Sequence, residues 1–232
     1  MKYELSVIIP CFNEEKTIDK IVRKVLSQKI NLEIIIIDDA STDNSLNIIK
    51  RLSKSYPNKI KYHSFDINSG KGASIKKGFS MAIGNYLIVQ DADLEYNPDE
   101  YEELLLPVRL GYADVVYGSR FIGGKPHKIM FFWHRIGNSI LTFLSNLFTN
   151  LDLTDMETCY KLIESKYAKM IDIEEKRFGF EPEITAKLSK TGARIYEIGV
   201  SYHGRTYEEG KKIKLKDAFR ALFCIIKYNI FK

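Results

Sequence analysis

Asn85-Tyr-Leu-Ile-Val-Gln-Asp-Ala-Asp-Leu-Glu95 constrains the fold more than any other stretch of this sequence. Tyr86 to Val89 are apolar in succession, the pattern of a strand buried on both faces, and such strands belong to parallel sheets covered by helices. Gln90, Asp91, Asp93 and Glu95 follow directly, and Asn97-Pro98 supplies a turn. Asp91, Asp93 and Glu95 are spaced two apart, so an extended chain aims all three carboxylates to one side. Carboxylates converging at the end of a buried strand repel one another unless a cation lies among them. An oxygen-only donor set suits Mg or Mn rather than Zn. A solvated acidic turn is the other reading of such a loop. The buried strand feeding straight into it favours the cation, because open sheets place ligands at strand ends.

The residues before and after this stretch repeat its logic. Leu5 to Ile9 read as a strand closed by Pro10, and Ile18, Ile21, Val22, Val25 and Leu26 fall at helical spacing. Leu32 to Ile37 form a second strand, ending in Asp38-Asp39, before a helix carrying Leu46, Ile49 and Leu52. Ile60 to Phe65 make a third strand. Asn68-Ser-Gly-Lys-Gly-Ala73 then opens a helix expected to close at Gly84, a C-terminal glycine. Pro98 suits a first helical turn, with Tyr101, Leu104, Leu105 and Val108 on one face and Gly111 as the stop. Val115 to Gly118 are a further strand. The alternation predicts an α/β fold with a mostly parallel sheet and helices on both faces. Polar residues gather where its strands end: Asn13 and Glu14, Asp38 and Asp39, Asp91 and Asp93, Ser119 and Arg120.

The second half changes character. An aromatic-rich segment from Met130 to Ile136 continues at helical spacing through Ile140, Leu141, Phe143, Leu144, Leu147 and Phe148. Leu153 to Thr158 form a polar turn. Phe180-Glu-Pro-Glu183 opens a helix that Gly192 stops, Ala193 to Ile198 read as a strand, and Leu215 to Tyr228 read as a basic amphipathic helix with Leu215, Ala218, Phe219, Leu222 and Ile226 along one side. Lys and Arg number 35 against 30 Asp and Glu, a net charge of +5. Eight basic and three acidic residues lie in 203–232, so residues 1–202 are neutral overall and need no nucleic-acid partner. The three cysteines, Cys11, Cys159 and Cys224, are far apart, which argues for a reducing compartment and against a zinc site. A strand beginning at Leu5 leaves no room for a signal peptide, and no apolar run approaches the roughly 20 residues of a spanning helix.

Val-Ile-Ile-Pro-Cys-Phe-Asn-Glu-Glu, Ile-Ile-Asp-Asp-Ala-Ser-Thr-Asp, Gly-Lys-Gly, Asp-Ala-Asp and Gly-Ser-Arg, in that order, resemble glycosyltransferase family 2. The resemblance implies a GT-A (Rossmann-like) fold, a nucleotide-diphosphate sugar donor linked to GDP or UDP, and a divalent metal. It implies a catalytic domain over residues 1–202 and a basic loop with a membrane-associating helix over 203–232. Pro10, Phe12 and Glu14 would line the nucleotide pocket, and Asp39 would hydrogen-bond the base or ribose. Lys71 would approach the donor closely between Gly70 and Gly72, glycines that otherwise shape a loop and helix start. The helix beginning at Gly72 offers free N–H groups to an anion. Asp91, Ala92 and Asp93 match the metal motif. Glu95 stands where polyprenol-phosphate members often carry Gln, and a carboxylate there would add a third ligand.

Two features resemble the branch that makes dolichyl- or undecaprenyl-phosphate sugars: Gly118-Ser119-Arg120, and Arg135 with Ser139 four residues on, one helical face apart. Arg120, Arg135 and Ser139 together would hold a phosphate, or the two arginines make ordinary ion pairs. A phosphate acceptor is already ionised and needs no base, whereas a sugar hydroxyl needs one. Asp155 and Glu183 are the candidates for that base, with Asp155 equally suited to capping its own loop. Arg205 and Lys211 would close over the diphosphate or acceptor phosphate, or lie in a solvated basic loop. The expectation is an inverting hexosyltransferase acting on a polyprenyl phosphate, peripheral at the cytoplasmic membrane face. It lies on the membrane, borrows a membrane-protein partner, or uses a soluble acceptor. The alternatives are transfer to a glycan hydroxyl and a non-catalytic nucleotide-sugar binding scaffold.

Overall fold

The computed structural model describes residues 3–126, 128–129, 131–177, 179–205 and 215–231. Its centre is a seven-stranded sheet of β1 (Leu5–Cys11), β2 (Leu32–Asp38), β3 (Ile60–Ser64), β4 (Tyr86–Val89), β5 (Val115–Ser119), β6 (Lys161–Glu164) and β7 (Ile195–Gly199). The strand order is β3-β2-β1-β4-β6-β5-β7. All pairs are parallel except those of β6, which runs antiparallel between β4 and β5. Helices α1 (Ile18–Leu26), α2 (Ser45–Ser55), α3 (Lys71–Met81), α4 (Tyr101–Arg109), α5 (Phe132–Thr149), α6 (Ser165–Met170), α7 (Phe180–Ser189) and α8 (Leu215–Ile230) surround it.

The near-continuous apolar runs of β1, β2 and β4 are buried on both faces, as their sequence requires. Pro10 does not end β1. It pairs in register with Ile37, and the strand runs on to Cys11. Pairing with β4 stops at Ile8↔Val89, so the missing Pro10 N–H breaks no ladder on that side. Gly84 is not the C-terminal glycine of α3, which ends at Met81. A side chain at Gly84 would collide with Ser6 of β1, so its role is close approach of two backbones.

The sequence reading missed β6 and α6. Lys161 interrupts the apolar pattern of β6, yet it is fully buried and its ammonium donates to the Met156 and Thr158 carbonyls. Helices α5 and α8 also depart from expectation. α5 is inside-out: Thr142 and Ser145 are buried, while Trp133 (77% exposed), Ile140, Phe143 (66%) and Leu147 face outward. Its polar side is held by the turn before β6, where Met156 N–H donates to Thr142 Oγ1 and Asn146 exchanges two bonds with Leu153. α8 buries Ala221, Cys224, Ile225 and Tyr228, a different stripe from the expected one, and leaves Phe219 and Phe223 exposed. Cys224 and Tyr228 cluster with Ala186 of α7, and α8 also packs against α5.

Candidate active site

Six loops meet at the carboxyl ends of the strands. At the end of β2, Asp39 accepts from the backbone N–H groups of Ser69 (2.6 Å) and Gly70 (2.8 Å). Both oxygens expected on a base or ribose thus fix the glycine loop, and burial pushes the carboxyl up despite those bonds. Asp38 bonds Ser41 N–H and the Ser64 hydroxyl through Oδ2, while its buried Oδ1 has no partner.

The Gly-Lys-Gly loop corrects two expectations. Gly70 (φ +94°) and Gly72 leave room for the backbone of Glu175 and Lys176, which a side chain at either position would strike. The N–H groups of Gly72 and Ala73 are taken by the Lys176 carbonyl, at 2.9 and 3.3 Å, so they are not open to an anion. What the loop delivers is Lys71. Its ammonium reaches Asp91 (3.0 Å) and Glu181 (3.1 Å). Burial pulls this ammonium down, but the two carboxylates outweigh it and hold it well above the ordinary lysine range.

Gln90 anchors the end of β4. Fully buried, it accepts from the Tyr101 and Tyr160 hydroxyls, each at 2.7 Å. Beyond it the three carboxylates do not converge. Leu94 adopts φ +67°, which ends the extended run on which alignment depended. Glu95 is engaged elsewhere, and its carboxylate accepts from Tyr202 Oη (2.9 Å) and Arg205 N–H (2.6 Å). Among the described residues, no three His, Cys, Asp or Glu side chains form a metal-sized group. Asp91 and Asp93 remain as a pair flanked by Ala92, and the Asp93 carboxyl is raised to about 7 by burial, then by Asp91 and Glu95. With Lys71 meeting only Asp91 of the two, the crowding that raises Asp93 fits a divalent cation held by these two residues.

The chain after β7 folds over this loop. Arg205 donates to both Glu14 oxygens (3.0 and 2.8 Å) and to the Asp93 carbonyl, and His203 N–H donates to the Glu95 carbonyl. Pro10 and Phe12 are half-buried on the Glu14 side. Lys211 lies outside the described residues.

At the end of β5, Arg120 is committed to Asp155. Nε–Oδ2 is 2.6 Å and Nη2–Oδ1 is 2.7 Å, the Arg120 N–H adds a third bond, and Asn138 a fourth to the same carboxylate. Asp155 is fully buried, so its proton-accepting capacity is spent. Glu183 is likewise occupied, by the N–H groups of Glu174 and Glu175 and by Lys187. Neither expected base is open. Arg135 is exposed, with its guanidinium 4.7 Å from the Phe121 ring centroid, and that of Arg120 stands 5.5 Å from the same ring. Ser139 is exposed one turn further along α5.

Two carboxyls escaped the sequence reading. Glu157 Oε1 and Glu181 Oε2 are buried without a hydrogen-bond partner. Burial, followed by the charge of Glu181, raises the Glu157 carboxyl to about 8. Each is two residues from the carboxylate expected to act, Asp155 or Glu183, and spacing alone does not reveal which member of a pair faces inward.

Residues 6–171 match the model of glycosyl transferase family 2. The chain belongs to that family. The glycosyltransferase is 26% identical over 216 residues to dolichol-phosphate mannosyltransferase of Pyrococcus furiosus, covering 90% of this chain and 60% of that protein. It is 27% identical over 243 residues to a dolichyl-phosphate β-glucosyltransferase of Trichomonas vaginalis, covering 98% and 73%. Its relatives thus include the dolichyl-phosphate branch expected from the motifs. Its fold matches glucosyl-3-phosphoglycerate synthase from Mycobacterium tuberculosis, solved with Mn2+, UDP and glucosyl-3-phosphoglycerate, at TM-score 0.74 and 15% identity, over 98% of this chain and 80% of that one. The fold is GT-A.

Proposed function

We propose that this glycosyltransferase moves a hexose from a GDP- or UDP-linked donor to a polyprenyl phosphate, with inversion, while peripherally bound at the cytoplasmic face of a membrane. The observation that carries this reading is the inverted helix α5. An apolar face turned outward over this length is the mark of an interaction surface, and α8, which packs against α5, also leaves Phe219 and Phe223 exposed. Arg135 stands exposed on the same helix as Trp133 and Ile136, near the Arg120 end of β5. A cation beside an apolar face matches an acceptor with a phosphate head and a hydrocarbon chain. Among the described residues, no helix is long and apolar enough to cross a membrane.

The spent carboxylates support the same acceptor. With Asp155 and Glu183 occupied, neither takes a proton from a hydroxyl, and an ionised phosphate asks for none. Asp91 and Asp93 would hold Mg or Mn, which when bound supplies Lewis-acid stabilisation of the departing diphosphate. Lys71 holds Asp91 in place and keeps its own charge beside the donor end of the site. Arg205, tied to Glu14 and to the Asp93 carbonyl, pins the chain after β7 across that end.

The test is transfer of radiolabelled sugar by the purified protein from UDP-glucose or GDP-mannose, with Mn2+, to undecaprenyl or dolichyl phosphate in vesicles. Label in the organic phase is the expected result. Label only in water-soluble glycans identifies a hydroxyl acceptor, and binding without turnover of any donor identifies a scaffold.

A further inference from the structure

The bare oxygens of Glu157 and Glu181 need an account. A buried polar group without a partner is destabilising, and native folds keep few of them. Lys161 is the nearest buried cation in sequence to Glu157, but its ammonium is turned to the Met156 and Thr158 carbonyls. Glu181 spends Oε1 on Lys71 at 3.1 Å, leaving Oε2 buried and bare. The same lysine reaches Asp91, which ties Glu181 to the donor end of the site. Glu157 stands on the segment entering β6, one residue before Thr158, whose hydroxyl bonds the Gly118 carbonyl at the end of β5. Two unfilled acceptors from two elements therefore lie within electrostatic reach of one another, and one of them shares Lys71 with the carboxylate expected to face the diphosphate.

We propose that Glu157 and Glu181 read the sugar of the donor, each filling its bare oxygen with a hydroxyl of an unsubstituted vicinal diol on the transferred hexose. Carboxylates are strong acceptors from sugar O–H groups. Burial and Glu181 keep a proton on Glu157 at neutral pH, so it offers an O–H donor as well as an acceptor, matching a hydroxyl that needs both. The inference rests on the donor half of the proposed function, a nucleotide-linked hexose, and not on the acceptor.

Calorimetry without acceptor tests it. With Mn2+ present, the protein is titrated with UDP-glucose and GDP-mannose, with their monodeoxy analogues at each hydroxyl, and with UDP and GDP alone. Removal of one or two particular hydroxyls is expected to weaken binding roughly 10–100-fold, the loss of one hydrogen bond that leaves a buried oxygen bare. Glu157→Leu, which removes both donor and acceptor, and Glu181→Gln are expected to abolish most of that discrimination. The Glu157 variant leaves the folded fraction, followed by thermal unfolding, and the affinity for UDP or GDP within about threefold, well under one such bond. Discrimination that survives in both variants overturns the proposal. So does an equal fall in affinity for nucleotide and nucleotide-sugar, the sign of a structural role. A loss of turnover with every donor at unchanged discrimination overturns it in favour of proton transfer by Glu157. Failure of the lipid-phosphate assay leaves these binding readouts intact, so the two readings fail separately.

Discussion

Arg120 and Asp155 meet fork to fork, with Nε–Oδ2 at 2.6 Å and Nη2–Oδ1 at 2.7 Å, where a largely buried guanidinium at the end of β5 meets a fully buried carboxylate in the turn before β6. Breaking one side of a buried pair strands the other charge, at about 3–5 kcal/mol. Asp155→Asn is therefore expected to lower the urea midpoint sharply, with Arg120→Met/Asp155→Leu recovering part of the loss. A stably folded but inactive Asp155→Asn protein would instead restore Asp155 as the base.

Gly72 and Gly111 separate two reasons for a glycine. Gly72 faces the Glu175 backbone with no room for a methyl group, whereas Gly111 sits at φ +73° in open space. Gly72→Ala is expected to cost about 1–3 kcal/mol through a forced backbone shift, and to weaken donor binding because Lys71 moves with the loop. Gly111→Ala is expected to cost about 1 kcal/mol from its left-handed backbone, with donor affinity unchanged. Denaturant midpoints and donor titrations of the two variants check this, and equal donor losses would contradict it.

The sheet and most of its strand-end chemistry were legible because buried parallel strands announce themselves as unbroken apolar runs that stop at a polar residue. Leu32 to Asp38 and Tyr86 to Asp91 are such cases. β6 was not legible, because Lys161 is buried by bonding carbonyls of its own preceding turn, a tertiary solution with no local signature. Glu95 was misplaced because a single left-handed residue, Leu94, breaks the two-residue period. Periodicity located the apolar stripe of α5 but not its direction. Thr142, Ser145 and Asn146 find partners in or burial against the 153–156 turn, and only that packing sends the apolar side outward.

Asp93 makes metal-free stability depend on pH. Between the ordinary carboxylate range and about 7, the folded chain binds a proton at Asp93 that the unfolded chain has lost, so stability falls as pH rises through this window. At about 1.4 kcal/mol per pH unit, the full penalty above it approaches roughly 4 kcal/mol. With a chelator present, Asp93→Asn is expected to melt above the parent at pH 8, with the gap closing toward pH 4. Mn2+ is expected to raise the melting temperature of the parent at pH 8 more than that of the variant. A parent as stable as the variant at pH 8 without metal would show that Asp93 is not a site of unrelieved charge.

The outward face of α5 makes the sharpest separation between chemistry and location. Phe143 and Leu147 are each 66% exposed, so Phe143→Asp and Leu147→Asp remove no packing from the core. Their effect on stability is expected within about 0.5 kcal/mol, the usual range for surface changes. At a bilayer the same changes remove buried apolar area and set a charge against the interface, and at about 25 cal/mol per Å2 two such side chains account for several kcal/mol. The double variant is expected to leave cosedimentation with vesicles containing anionic lipid and undecaprenyl phosphate, and to lose transfer to that acceptor at least tenfold. Donor hydrolysis in solution, which the proposed function places at the strand ends and not on α5, is expected to stay at the parent level. Vesicle binding that survives both substitutions would assign the apolar face to another protein surface instead of a bilayer.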